Sequence, residues 1–226
     1  MNRAGRGNYQ QLLSTRLYAC QKTHTDTTGE VMCRLCNKAP ESVAHVLAGC
    51  TAIAQNKYTT RHNAALKILF FEILQDLGLV DSVSPWYSPL KPKPVYESNN
   101  AQAFWDVPLL AEHQEVRANR VDARIINHVS KRVITLEMSC PWVTNREKKK
   151  EEKTTKYGPL RWELKQNYQG YKVKQYNIIM DVLGGWSRDL EDDLNELVES
   201  KSKGVLHNMQ KAVISGTLNI SRTFNV

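Results

Sequence analysis

VDARIINHVSKRVITLEMSC, residues 121–140, is the stretch that decides the fold. Residues 121–126 and 132–140 are rich in β-branched and large apolar side chains, and the polar segment 127–131 between them has turn composition. The spacing therefore predicts two antiparallel strands joined by a tight connection. In the second strand Val133, Thr135, Glu137 and Ser139 share one face and Ile134, Leu136, Met138 and Cys140 share the other, because successive side chains point to opposite sides. Glu137 then lies on the less apolar face.

Working outward, period-two patterning predicts a further strand over 105–110 and an apolar strand over 176–183, ended by Gly184 and Gly185. A charged helix is expected from about Asn145, with Pro159 kinking it or ending it at Tyr157. Helical spacing places two more helices around 190–198 and 205–214. Upstream, Ala64, Ala65, Ile68, Leu69, Phe71, Ile73 and Leu74 form an apolar stripe in a helix over 52–79 that should end near Gly78. These elements indicate an α/β (α+β) architecture with a mixed sheet flanked by helices. Four prolines, Pro85, Pro89, Pro92 and Pro94, mark 82–100 as a linker. The expected division is a connecting segment at 1–30, with a helical stretch around 9–17 and a polar loop at 24–29. A small module and its helix then occupy 31–81, and the larger domain occupies 101–226.

The chain has 226 residues, of which 41% are hydrophobic, and a formal charge of +8, a balance that favours a polyanionic partner. No stretch approaches 18 consecutive apolar residues, and the first residues lack the apolar core of a signal peptide, so an intracellular protein with no membrane partner is expected.

Five cysteines occur, and three of them, Cys33, Cys36 and Cys50, join His45 in the pattern C-x2-C-x8-H-x4-C. Three thiolates and one imidazole at that spacing form a complete tetrahedral set for zinc. Four protein ligands leave no open position, so such an ion would hold a fold and do no chemistry. Cys20 and His24 are alternative ligands, although a lone upstream cysteine is more often a small buried apolar residue. Arg34, Lys38 and Lys57 flank the cluster and suit contacts with nucleic-acid backbones.

Closing the 127–131 turn sets Asp122 of the first strand nearly opposite Glu137 of the second. Two converging carboxylates can hold magnesium, which prefers few protein ligands plus water and phosphate oxygens. A lysine commonly completes such a site, yet Ser139 occupies the position two residues after Glu137. Lys149, Lys153 and Lys156 follow at i, i+4 and i+7 on the charged helix, with Tyr157 next to them. Glu147, Glu151 and Glu152 are interleaved, so an ordinary solvated face of ion pairs fits the spacing equally. Arg117, Arg120, Arg124, Arg146, Lys148 and Lys149 are candidates for tracking phosphates. Trp142, Tyr157 and Trp162 are candidates for base stacking, against the commoner role of core aromatics.

The series Trp105-Asp106-Val107-Pro108, Arg117-Ala118-Asn119-Arg120-Val121-Asp122, Leu136-Glu137-Met138-Ser139-Cys140-Pro141 and Lys153-Thr154-Thr155-Lys156-Tyr157, behind the cysteine cluster, resembles the zinc knuckle and restriction-like endonuclease of non-LTR retrotransposon polyproteins. The resemblance runs from about Cys33 to the C-terminus. It implies a PD-(D/E)XK core in which Asp122 and Glu137 bind a catalytic divalent ion such as magnesium. Lys153 and Lys156, with Tyr157 closing their motif, would then supply the displaced lysine; Lys153 is expected to be the more critical of the two because it lies nearer the helix start and so nearer Glu137 along the chain. It also implies target DNA and element RNA as partners, the nucleus as location, and a polymerase domain in a longer polyprotein of which this chain is a truncated copy or fragment. Two positions depart from the family pattern: Val121 stands where proline is usual, and Glu137 where aspartate is common. The alternative is a zinc-containing remnant that binds nucleic acid without cutting it.

Overall fold

The computed structural model describes residues 13–23 and 31–224. Its centre is a five-stranded mixed sheet in the order β1 (Val95–Glu97), β2 (Ala101–Trp105), β3 (Ala123–Asn127), β4 (Arg132–Ser139) and β5 (Lys172–Ile179). The first four strands pair antiparallel and β5 runs parallel to β4. The expected hairpin is present as β3 and β4, in the register Ala123↔Leu136 and Ile125↔Ile134. Its turn is pinned by the Asn127 side chain, whose Oδ1 accepts from the Ser130 N–H at 2.9 Å, and it closes through Lys131 at φ 49°.

Both faces of the sheet are covered, a difference from the one-sided picture given by the alternation in β4. Ile134, Leu136 and Met138 face a large core shared with α3 (Thr59–Asp76), α6 (Arg188–Val198) and α7 (Ser202–Phe224). Val133 and Ile126 face a second apolar layer containing Leu160 and Leu164 of α5 (Gly158–Asn167). Thr135 and Glu137, on that second face, are therefore buried despite their polarity. The β4–β5 crossover is made by α4 (Arg146–Lys156) followed by α5. The chain breaks between them at Tyr157, and Pro159 sits in the first turn of α5, where its missing N–H costs nothing.

α3 carries more buried residues than one stripe, including Leu66 and Phe70, because the sheet and α7 cover it from two sides. It ends as expected at Gly78, φ 66°, where the Leu79 N–H bonds Leu74 O and the Gly78 N–H bonds Gln75 O. The glycine relieves the steric cost of that left-handed position.

Several boundaries differ from the sequence expectation. Residues 82–100 do not act as a linker: β1 lies within them, and Val83, Trp86 and Tyr96 pack on the main core. Prolines are compatible with this edge strand because one side of its backbone needs no ladder partner. The segments 31–81 and 101–226 consequently share one core through α3. The expected strand at 105–110 is displaced to Ala101–Trp105, and α7 extends ten residues past the expected end at 214, to Phe224. Near the N-terminus α1 spans Arg16–Thr23; the expected helix at 9–12 and the loop at 24–29, with His24, lie outside the described residues. Among the described residues no helix is long and apolar enough to cross a membrane.

Candidate functional site

Two groups of chemically capable residues stand out, and they are constructed differently. In the first, residues 31–41 form a tight loop with an isolated bridge between Met32 and Pro40, which carries Cys33 and Cys36 on its turn. Ser42 caps the short helix α2 (Val43–Ala48), its hydroxyl accepting from the His45 N–H at 3.1 Å, and so fixes the histidine in the first turn. Gly49 then leads to Cys50, whose N–H donates to the Tyr58 hydroxyl at 2.9 Å; that hydroxyl donates to Val46 O at 2.7 Å.

The four side chains bring one ligand atom each to within 4.8 Å of one another. Cys33 and Cys50 Sγ are 3.8 Å apart and Cys36 Sγ is 3.2 Å from His45 Nε2. Zn–S bonds of ~2.3 Å at a tetrahedral angle give an S···S edge of about 3.8 Å, so the donor set fits zinc in number, kind and spacing. Hydrogen bonding from the Lys38 backbone is the largest influence drawing Cys36 down to about 6, while burial pushes Cys50 up to about 11. One thiolate forms readily and the next is opposed, the situation that a divalent ion resolves. This Cys3His group can bind a metal such as zinc. Cys20 is not part of it.

The loop is braced from behind by Glu41, which is fully buried and accepts from the Arg16 and Arg34 backbone N–H groups at 2.7 and 2.9 Å and from the Arg34 guanidinium. Burial opposes ionisation of Glu41, but the Arg34 and Arg16 hydrogen bonds outweigh it and hold the carboxyl below its ordinary range. Arg34, expected to reach nucleic acid, is thus engaged internally and also stacks on Phe224 at 4.8 Å. Lys38 is exposed, and Lys57 donates to Asn219.

The second group gathers at a cleft of about 500 Å³ between α3 and α4, at the end of β4; His62, Asp122 and Lys153 line it, and Glu137 is buried behind them. Continuing the β3–β4 register by one pair sets Asp122 opposite Glu137, and the two are joined: the Asp122 N–H donates to Glu137 Oε1 at 3.1 Å. Asp122 Oδ2 accepts from the Met138 N–H at 2.7 Å, and Lys153 of α4 donates to Glu137 Oε2 at 2.5 Å. The acids and Lys153 therefore meet. Glu137 is 0% exposed, and its carboxyl is pushed up by burial and by Asp122, with Lys153 pulling against them. For Asp122 burial pushes up, but His62 and Lys153 prevail and its carboxyl sits below the ordinary range.

His62 is the residue that sequence reasoning missed. It projects from α3 and places Nε2 3.0 Å from Asp122 Oδ2. No sequence signal links positions 62 and 122; only the packing of α3 over the sheet does. Its neighbour Arg61 was missed for the same reason. Arg61 is 2% exposed and donates to Leu47 O at 2.9 Å and Thr217 Oγ1 at 3.1 Å, tying the cysteine-bearing segment to α7.

The remaining expected residues scatter. Lys156 lines the cleft but turns toward Tyr157, with Nζ 3.2 Å from its hydroxyl. Tyr157 itself is buried and donates to Arg120 O at 3.3 Å, which makes it a clamp on the 106–122 loop. Lys149 lines the cleft and pairs with Glu152 at 2.7 Å. Arg117 and Lys148 are exposed, and Arg120 is held in a two-pronged contact with Asp106. Two expected phosphate contacts are corrected. Arg124 is buried over the Phe104 ring, 4.4 Å from its centroid, and Arg146 turns inward to Trp186 O at 3.1 Å and Asp181. Of the expected stacking aromatics, Trp162 is exposed and Trp142 is half-buried against the knuckle core.

Fold and site together define an α/β protein with a mixed five-stranded sheet, a Cys3His metal-ligand cluster and a carboxylate–lysine cleft. No protein-family model and no curated protein matches this chain.

Proposed function

We propose that the chain is the zinc-knuckle and endonuclease region of a non-LTR retrotransposon polyprotein, nicking DNA in a reaction that depends on a divalent metal. In this reading the sheet is a PD-(D/E)XK core, the new 3′-hydroxyl primes reverse transcription of the element's RNA, and a polymerase domain elsewhere in the polyprotein and a nuclear location complete the setting. The observation that carries the reading is the meeting of Asp122 and Lys153, which line the cleft, with the buried Glu137 between them. Asp122 stands immediately before β3 and Glu137 lies in its partner β4, while the lysine comes from the following helix, which is the order of the motifs in the resembling family.

The donor chemistry fits magnesium, which is held by one or two carboxylates together with water and phosphate oxygens. Asp122 and Glu137 would hold that ion, which when bound supplies an activated water and charge compensation on the cleaved phosphate. Lys153, already on Glu137, is placed to orient a water or to screen the phosphate. Lys149 and Lys156 on the same wall add positive charge toward an incoming backbone.

One observation favours the non-cutting alternative: both Glu137 oxygens are engaged, one by the Asp122 N–H and the other by Lys153. A carboxylate satisfied in this way can serve packing alone. A plasmid nicking assay separates the two readings. Nicking should require a divalent metal and disappear in Asp122→Asn and Glu137→Gln while DNA binding persists, since these changes keep shape and remove only charge. Nicking by both variants at the wild-type rate would refute the assigned site. Absence of nicking in every protein, including one joined to a polymerase domain, would leave the binding remnant as the reading.

A further inference from the structure

His62 brings a nitrogen donor to the Asp122 end of the cleft. Its Nε2 lies 3.0 Å from Asp122 Oδ2 and 3.2 Å from the main-chain oxygen of Met138. The other ring nitrogen, Nδ1, lies 2.8 Å from Asn63 Oδ1. The imidazole is thus surrounded by three oxygen acceptors. A neutral imidazole has a single N–H. With Nε2 protonated the ring donates to Asp122; with its one hydrogen on Nδ1, toward Asn63, Nε2 is free to act as a metal ligand beside two oxygens. A divalent cation taking the place of the Nε2 hydrogen would be met by three donor atoms, Nε2, Asp122 Oδ2 and the Met138 oxygen.

The distances suit such an ion. In an octahedral site with bonds of ~2.1 Å, adjacent donors stand about 3.0 Å apart, close to both separations from Nε2. The Nδ1 contact with Asn63 is also the arrangement that fixes the tautomer and orientation of a metal-bound histidine. The backbone supports the same placement. A π-helical turn, Ala54–Tyr58, precedes α3 directly, and its wider spacing shifts the phase of the helix. Arg61 then enters the interior, where it is fixed by Leu47 and Thr217, and His62 is delivered to the cleft.

We propose that His62 is a protein ligand of the divalent ion held by Asp122, with the Met138 carbonyl as a further donor. Water and a phosphate oxygen complete the shell, and Glu137 would join it only where Lys153 releases its Oε2. Replacing one oxygen donor by imidazole makes the site more favourable to Mn2+ than an all-oxygen site, since magnesium prefers oxygen and imidazole suits transition ions. The inference rests on the reading of Asp122 as a metal-binding carboxylate, and it adds a ligand and a metal preference to it.

The test uses the zinc-loaded full chain and Mn2+ as the probe, with electron paramagnetic resonance as the readout and no need for DNA. Wild-type protein should bind Mn2+ in an Asp122-dependent manner, and the bound ion should show nitrogen coupling from a directly ligated imidazole. His62→Ala should abolish that coupling and weaken Mn2+ binding by about tenfold or more. Mg2+ competition should change by less than about threefold, because magnesium gains little from the nitrogen. His62→Gln, which retains more side-chain volume, should also lose the coupling. Zinc content and melting temperature verify that each variant folds, and the wild-type coupling is decisive even if both variants fail. Asp122-dependent Mn2+ binding without nitrogen coupling overturns the His62 assignment and leaves the carboxylate site standing. No Asp122-dependent binding at all overturns both.

Discussion

Cys33, Cys36, His45 and Cys50 gather within residues 33–50, whereas His62, Asp122, Glu137 and Lys153 reach their cleft from one helix, the two strands of a hairpin and a second helix. The first group needs only a tight turn, a capped helical turn and an ion. The second needs the whole sheet, the β4–β5 crossover and the packing of α3 across the strands. A short-range site is written in its spacing, and a long-range site is written in the fold. The two are nevertheless mechanically joined, because Cys33, Val46, Leu47 and Cys50 pack on Ile220 and Phe224 of α7, and α7 packs on α3.

The largest expected effect tests the self-sufficiency of the first group. Cys36→Ser should abolish stoichiometric zinc binding, since removing one thiolate leaves an incomplete tetrahedral set. Free energies of about 10–16 kcal/mol accompany structural zinc in isolated finger peptides. Amide exchange should therefore accelerate sharply across 31–50. Strands β3 and β4 should stay protected, because their cores contain none of the four ligands. Equal loss of protection in β4 would show that the two regions unfold as one unit.

The next effect concerns the second group and separates its lysines. Lys153 contacts Glu137, whereas Lys156 contacts Tyr157. Lys153→Ala should lower the nicking rate by about 10²–10³-fold, the scale of losing one well-placed electrostatic donor. Lys156→Ala should lower it far less and act mainly on DNA affinity. Single-turnover rates and binding isotherms on both variants would settle the order, and equal rate losses would mean that the contact to Glu137 is not what matters.

A smaller effect probes the joint between the regions. A Cβ on Gly216 of α7 would stand 2.7 Å from Arg61 Cβ and Cγ, closer than real contacts allow. Gly→Ala within a helix ordinarily gains roughly 0.5–1 kcal/mol, while forcing atoms into a packed interior costs about 1–3 kcal/mol. The clash dominates because it involves the root of a side chain whose head is fixed at Leu47 and Thr217. Gly216→Ala should therefore lower Tm by several degrees, on the order of 2–8 °C for a net loss of about 1–2 kcal/mol. A raised Tm would show that α3 and α7 can separate freely.

The contrast also explains what the sequence alone disclosed. The hairpin was legible because its alternation and turn are local, and the Asp122–Glu137 pairing followed from register once the turn was placed. Pro159 correctly marked the break between α4 and α5, although α5 itself was not anticipated. The role of 82–100 was misread because prolines signal a break in backbone donors and not an absence of packing: Trp86 and Tyr96 still reach the core. Arg124 is buried and Arg146 is engaged with Trp186 O and Asp181, neither of which a charge count can show. His62 was invisible because nothing near it in the chain differs from an ordinary helix start.

The smallest effect follows from that last distinction and concerns the basic residues outside the cleft. Arg117 has 91% of its side chain exposed and meets only Glu115, itself 81% exposed, at 3.3 Å. Such a pair contributes little to stability. Arg117→Ala should therefore leave stability unchanged to within about 0.5 kcal/mol. If Arg117 touches a phosphate, the slope of log affinity against log salt should shrink by about one unit. Arg124 should behave in the opposite way. It is 6% exposed, and burial holds its guanidinium below the ordinary range. Its substitution by alanine should loosen the layer around Phe104 and lower Tm, yet leave the salt slope of the surviving folded protein intact. Measuring slopes for both variants at matched folded fractions distinguishes a surface that carries phosphate contacts from one that is merely basic. An unchanged slope in Arg117→Ala, repeated in Lys148→Ala, would move the contact surface away from these exposed residues and leave the cleft lysines Lys149, Lys153 and Lys156 to bear it.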